Sequence, residues 1–267
     1  MSEDGTIDLI TGWPAEHAVV FRDGRVTDLG TLPGGYESQA ISINDRGQVS
    51  GFGSNGTDDP YSLFGWGTEA RSFVWENGVM QDIGTLGGAD AVMGGMNARG
   101  QIFGVSYTNT TPNGTTGIPT VHPFIWEKGR IRDLGSLGGT YTEANSMNND
   151  GQVAGISTLA GDTNVHPFLW DGRRMIDLGT LNGGDLGVAK SVNDEGHVTP
   201  ATRSFRTGRT THSCGRTGTC ATFHRRRARP VPPASRSTTG MTWSAPPRTA
   251  RATTSPRSSG TKACRTT

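Results

Sequence analysis

Histidines and aspartates recur at fixed places in this chain, and they are the residues whose types and spacing could do chemistry. His122 and His166 each open a phrase of the form His-Pro-Phe-Ile/Leu-Trp, and His17 opens a weaker copy. Asp28, Asp82, Asp133 and Asp177 each follow an aromatic (Phe21, Trp75, Trp126, Trp170) by seven residues. Histidines converging on one point would make a metal ring, and converging acids a catalytic or calcium set. Both readings are weak, because one group per unit at one fixed place is what a structural lock looks like: an aspartate accepting backbone N–H bonds, a histidine bonding a neighbouring loop. Outside the repeated places, Asp58-Asp59 and Gly161-Asp162-Thr163-Asn164 could offer oxygen ligands, but neither has the spacing of a calcium loop. No acid pair unique to one unit stands out, and catalysis needs such a departure from symmetry. The expected sites are therefore catalytic none, cofactor-binding none and metal none.

Composition narrows the classes further. The chain has 267 residues, 32% of them hydrophobic, with 40 glycines. No stretch approaches the roughly 18 apolar residues of a membrane helix, and the first residues carry neither the basic end nor the apolar core of a secretion signal. All three cysteines, Cys214, Cys220 and Cys264, fall in the last quarter, so the repeated part has no thiol chemistry. The net charge of +1 hides an asymmetry. Residues 1–198 hold 11 Lys+Arg and all 24 acids, a balance of −13; residues 199–267 hold 14 Lys+Arg and no acid, a balance of +14.

The elements that would position these residues repeat four times. Asp28-Leu29-Gly30-Thr31-Leu32 returns at Asp82, Asp133 and Asp177, and Asn44, Asn97, Asn148 and Asn193 follow at 16, 15, 15 and 16 residues. The period is 54, then 51, then 44, and only the stretch before each aromatic phrase varies. Each unit reads as two hairpins. Ser72-Phe73-Val74-Trp75 turns at Asn77-Gly78, where both turn positions need positive φ, and returns through Val79-Met80-Gln81-Asp82. Ala40-Ile41-Ser42-Ile43 turns at Asn44-Asp45-Arg46-Gly47, a type I turn closed by a left-handed glycine, and returns through Gln48-Val49-Ser50-Gly51. Pairs such as Gly87-Gly88 connect the hairpins. Two hairpins in about 45–50 residues match one β-propeller blade. The expected fold is all-β, a β-propeller-like array of four-stranded antiparallel blades in an open or incomplete ring, with Trp75, Trp126 and Trp170 packed between blades. The domains expected are an N-terminal segment 1–16, tandem repeats 17–198 and an unstructured basic tail 199–267.

These phrases resemble the bacterial HAF-repeat family, described as a probable extracellular repeat: His166-Pro167-Phe168-Leu169-Trp170, then Asp-Leu-Gly-Thr-Leu-Gly-Gly, then Asn-Asp-x-Gly-Gln-Val-x-Gly. The second unit departs, with Arg71-Ser72 in place of histidine and proline. The resemblance covers about residues 17–198 and implies an extracellular or cell-surface place but no chemistry. The function expected is a non-enzymatic scaffold binding a protein or glycan partner through its variable loops, with no cofactor, no nucleic acid and no membrane span. The alternative is a propeller-type hydrolase or lyase with a site on the blade axis.

The tail reads as the same repeat in another frame. Taken from the third base of each codon, Thr210 to Phe223 permits His-Pro-Phe-Leu-Trp-Lys-Asp-Gly-Asn-Met-Arg-Asp-Leu, and Thr199 to Arg203 permits Ala-Gly-Tyr-Ser, the counterpart of Ala154-Gly155-Ile156-Ser157. A genuinely disordered basic tail is the competing reading. On either reading the arginine run Arg225-Arg226-Arg227 is not a designed nucleic-acid site.

Overall fold

The computed structural model describes residues 15–204 and 209–212. It is all strand apart from one 3-10 turn at Leu181–Gly183. A hairpin comes first, β1 (Val19–Arg22) with β2 (Arg25–Asp28). Three four-stranded antiparallel sheets follow in chain order: β3 (Ser38–Ile43), β4 (Val49–Asp58), β5 (Thr68–Glu76) and β6 (Val79–Asp82); β7 (Ala91–Met96), β8 (Ile102–Tyr107), β9 (Val121–Glu127) and β10 (Arg130–Asp133); β11 (Gly138–Met147), β12 (Val153–Leu159), β13 (Val165–Trp170) and β14 (Met175–Asp177). A last, shorter group holds β15 (Leu186–Val192), β16 (Val198–Ser204) and β17 (Arg209–His212). The fold is thus an all-β, propeller-like array of open sheets.

The blades are out of phase with the sequence units. Each blade combines the Asn-turn hairpin of one unit with the aromatic hairpin of the next: β4 pairs with β5, β8 with β9 and β12 with β13, across the variable loops. The Gly-Gly connection instead carries the chain from one blade to the next. Four units therefore give three complete blades, a half-blade β1–β2 at one end and β15–β17 at the other, not four blades. The boundary at residue 198 also moves: β16 runs to Ser204, and β17 pairs with it at Ala201–His212. Pairing is a backbone interaction, and a threonine-rich stretch suits it. Residues 213–267, the rest of the expected tail, lie outside the described residues.

The turns are those that the dipeptides ask for. Asp23, Asn77 and Lys128 and the glycines after them all have positive φ. In the Asn turns, Asn44 Oδ1 accepts the Arg46 and Gln48 N–H groups, and Asn97, Asn148 and Asn193 repeat the pattern. These asparagines also stitch blades together: the Asn97 side chain donates to the Asn148 carbonyl (3.1 Å) and Asn148 to the Asn193 carbonyl (2.8 Å).

The core is a series of inter-blade layers. Val74 and Ile83 of one blade pack on Ala91, Met93, Ile102, Phe124 and Trp126 of the next. Phe103 and Leu134 pack on Ala144, Val153, Phe168 and Trp170 in the same way. Gly51, Gly104 and Gly155 are required beneath the phenylalanines of the neighbouring strand. A Cβ at these places would lie 2.7, 2.9 and 2.8 Å from the rings of Phe73, Phe124 and Phe168, and would also collide with the backbone carbonyls of Gln39, Val92 and Glu143.

Candidate functional site

The repeated histidines and aspartates are partners of each other. His17, His122 and His166 place Nδ1 2.9 Å from Asp28, Asp133 and Asp177. In the second unit Arg71 takes the histidine's place and meets Asp82 at 2.9 Å. The histidine bonds the return strand of its own hairpin, which corrects the expected contact with a neighbouring loop. The antiparallel register, which sets Phe168 opposite Asp177, brings the two strands together there. Every aspartate also accepts the N–H of the glycine two residues on, at 2.7–2.8 Å. Burial pulls the Asp133 carboxyl upward, but the hydrogen bonds from His122 and Gly135 outweigh it and hold the group below its ordinary value. In this role the aspartates lock the chain as it leaves each hairpin.

Asp162 is used up in a comparable way. Its oxygens take the Thr140 N–H (2.7 Å), the Thr140 hydroxyl (2.8 Å) and the Thr158 hydroxyl (2.6 Å). Those bonds outweigh partial desolvation and lower its pKa.

The symmetry breaks at one place, in the loop between β4 and β5. Asp59 is buried, and its Oδ1 accepts the Tyr61 N–H at 2.9 Å. Beside it lies Asp90, fully buried at the entrance to β7. Asp90 accepts the Leu63 N–H (2.5 Å) and the Ala70 N–H (2.8 Å). Burial pushes the Asp90 carboxyl up to about 7, and the charge of Asp59 adds to the rise against the two backbone bonds. Two carboxylates in such a place cannot both ionise freely, so the pair holds a proton at neutral pH. Asp59 Oδ2 is buried and has no hydrogen-bond partner among the described residues, and neither has Ser62 Oγ in the same loop. The proton on Asp90 is the donor available to that oxygen. Tyr107 closes the site from β8. Its hydroxyl donates to the Tyr61 carbonyl at 2.7 Å, and burial with the nearby Asp90 and Asp59 charges raises its pKa, so it stays a neutral donor.

Over the acids, Phe52, Phe64 and Trp66 stack with centroids 4.9–5.9 Å apart. Phe64 and Tyr61 remain exposed. The places equivalent to Asp90 hold Glu37, Tyr141 and Leu186, so this is the one unit in which an acid there meets a second acid from the variable loop. Sequence reasoning named Asp59 only as a calcium candidate and missed Asp90, which reads as part of a glycine-rich connection. Comparing the residue three after each first glycine of the pair would have flagged it.

No protein-family model matches the chain, and no curated protein matches it. Among solved structures it is similar to a protein assigned as a gluconolactonase, at 13% identity and a TM-score of 0.31, over 70% of this chain and 66% of that one. The chain thus spans about two thirds of that structure. Among the described residues no helix is long and apolar enough to cross a membrane. The expectation of a non-enzymatic scaffold rested on unbroken symmetry. Asp59 and Asp90 break it, and that expectation is replaced by its alternative, the class to which the similar structure's name also belongs.

Proposed function

We propose that the chain is a propeller-type hydrolase whose acid–base pair is Asp59 and Asp90. The observation that carries this reading is the Asp90 carboxyl, buried and raised to about 7 beside a second buried acid. At neutral pH a group of that pKa can both give and take a proton, which is what general acid–base catalysis asks of it. Protonated Asp90 would give its proton to a leaving oxygen while Asp59 activates water. The Phe52–Phe64–Trp66 stack offers a flat apolar face on which a ring-shaped substrate could rest. Buried acids under a loop need that loop to lift, and Asp59–Gly67 is the segment placed to do so.

The test is a panel of lactones, aryl esters and glycosides assayed with the wild-type chain, Asp90→Asn and Asp59→Asn. Turnover that falls at least 100-fold in both variants, with far-UV circular dichroism unchanged, supports the pair. Turnover that survives both substitutions, or none with any substrate, removes it.

A further inference from the structure

The two ends of the array are each half a blade, and the halves are complementary. In the three complete blades the aromatic strand is covered along one edge by the return strand of an Asn-turn hairpin: Phe73, Phe124 and Phe168 face Gly51, Gly104 and Gly155, and Trp75, Trp126 and Trp170 face Val49, Ile102 and Val153. β1 is the same strand at the N-terminal end. Val19 stands where Phe168 stands, and Phe21 where Trp170 stands. Among the described residues β1 pairs with β2 alone. The consequence shows in exposure: Phe168 is 0% and Trp170 6% exposed, whereas Val19 is 50% and Phe21 73% exposed.

The adjoining face of the first complete blade is uncovered in the same way. Ile43 occupies the place of Val192, which is 6% exposed, yet Ile43 is 62% exposed. Val192 is covered by Ala154 of the preceding Asn-turn hairpin together with Leu169. Beside Ile43 the aromatic strand is present, as Val20, but the Asn-turn hairpin is not. A groove of ≈ 230 Å³ between β1 and β3 marks the place. It is smaller than the roughly 300–1,000 Å³ of small-ligand pockets, and it lies along an open strand edge, the setting for strand addition.

At the other end β15–β16 is an Asn-turn hairpin without an aromatic hairpin of the repeat. Its partner β17 is the four-residue Arg209–His212, where β13 has six residues and β9 seven. We propose that β1–β2 of one copy completes the blade begun by β15–β16 of a second copy, taking the edge that β17 holds in the single chain. The register follows the complete blades: Val198 opposite Phe21 of the next copy, as Val153 is opposite Trp170, and Thr199 opposite Val20, as Ala154 is opposite Leu169. Pro200 takes the place of Gly155 and removes one ladder hydrogen bond, as proline does on an edge strand. The occupant is argued from the molecule itself, since the equivalent edge is filled three times within this chain by a hairpin of this type. Such a contact is head-to-tail, so copies add in chains or close a ring.

The test is sedimentation velocity of the 267-residue chain over a hundredfold range of concentration, with Phe21→Asp as the variant. Association that grows with concentration and is weakened at least 10-fold by Phe21→Asp, with circular dichroism unchanged, supports the proposal. Disulfide trapping fixes the register, in a background with Cys214, Cys220 and Cys264 changed to Ser. A copy with Thr199→Cys and a copy with Val20→Cys should form an oxidised dimer only when mixed. The pair is a non-hydrogen-bonded one, whose short Cα separation suits a disulfide. A monomer at every concentration overturns the proposal, as does association indifferent to Phe21→Asp or a Val20→Cys copy that cross-links to itself. Closure within one dilute chain carrying both cysteines also overturns it, since the ends would then meet intramolecularly.

Discussion

Asp90 gives the array a pH dependence that can be worked out and checked. Its carboxyl rises from 3.8 to about 7 in the folded chain, because burial and Asp59 disfavour its charge. A group whose folded pKa is raised binds its proton more tightly in the folded state. It contributes full stability below the unfolded pKa, and that contribution is lost as pH rises through the folded one. Across that interval the whole effect is about 4 kcal/mol, since each tenfold gain in proton affinity is worth about 1.4 kcal/mol. From pH 5 to pH 8 the loss is about 2.5 kcal/mol by the same linkage. Asp90→Asn cannot ionise, so the stability difference between wild type and variant should change by about that amount between the two pH values, while every other titrating group cancels. The assay is urea unfolding of both proteins at pH 5 and pH 8, followed by tryptophan fluorescence, with coincident circular dichroism transitions required before free energies are compared. A wild-type/variant difference that is constant to within about 0.5 kcal/mol would refute the buried, proton-holding state of Asp90, and with it the acid–base assignment.

Gly104→Ala should destabilise the chain by about 3 kcal/mol, since the new Cβ meets the Val92 carbonyl, the Met93 backbone and the Phe124 ring with no flexible group to give way; a thermal midpoint within about 2–3 °C of wild type, by the usual conversion, would contradict this. Asp133→Ala should cost about 1 kcal/mol and His122→Ala about half that, because the aspartate also holds the Gly135 N–H while the exposed ion pair is weak; urea midpoints decide the order. The Asp133 contribution is present above the ordinary carboxylate pKa and fades as pH falls below about 4, so the cost of Asp133→Ala should shrink at pH 3.

How legible was this in the sequence? Local chemistry was readable: Asn77-Gly78 and Asn44 through Gly47 dictate their turns whatever surrounds them, and the alternation in Ala40 to Ile43 marks a strand. The phase of the blades was not, because a hairpin sequence does not say which neighbouring hairpin it pairs with. Here the choice falls across the variable loop, between β4 and β5, rather than across the constant Gly-Gly link. The His–Asp pairs carry a signal in their spacing. His17 to Asp28, His122 to Asp133 and His166 to Asp177 are each separated by 11 residues, the constant offset of two positions facing each other across a hairpin. The acid pair carries almost none. Asp59 and Asp90 lie 31 residues apart, in a loop that has no equivalent in the other units and in a connection that reads as glycine spacer. Repeats make the common parts easy to read and draw attention away from the one place where a unit differs.

The alternative frame of the tail extends further than one hairpin, and the extension is a sharper test than the aromatic hairpin alone. Read from the third base of each codon, Arg236 through Ala245 permits Ile-Asn-Asp-Arg-Asn-Asp-Val-Val-Gly, against Ile43-Asn44-Asp45-Arg46-Gly47-Gln48-Val49-Ser50-Gly51. Asparagine in place of the turn glycine is tolerated there, because it too visits the left-handed region. The spacing is the independent evidence: the aspartate read across Ala221 and Thr222 precedes the asparagine read across Ser237 and Thr238 by 16 residues, the same interval as in the first and fourth units. Chance would have to supply both hairpins, in order and at the repeat's own interval. Sequencing the gene across codons 198–245 is expected to show that frame open and carrying these residues; a stop codon within it would end the argument. An open frame would give β16 an aromatic hairpin of the repeat type in place of β17 and leave the new Asn-turn hairpin as the chain's last half-blade. The N-terminal half-blade β1–β2 would then still face an unmatched hairpin of the same kind, because a repeat whose units and blades are out of phase by one hairpin begins and ends on complementary halves, however many units it has.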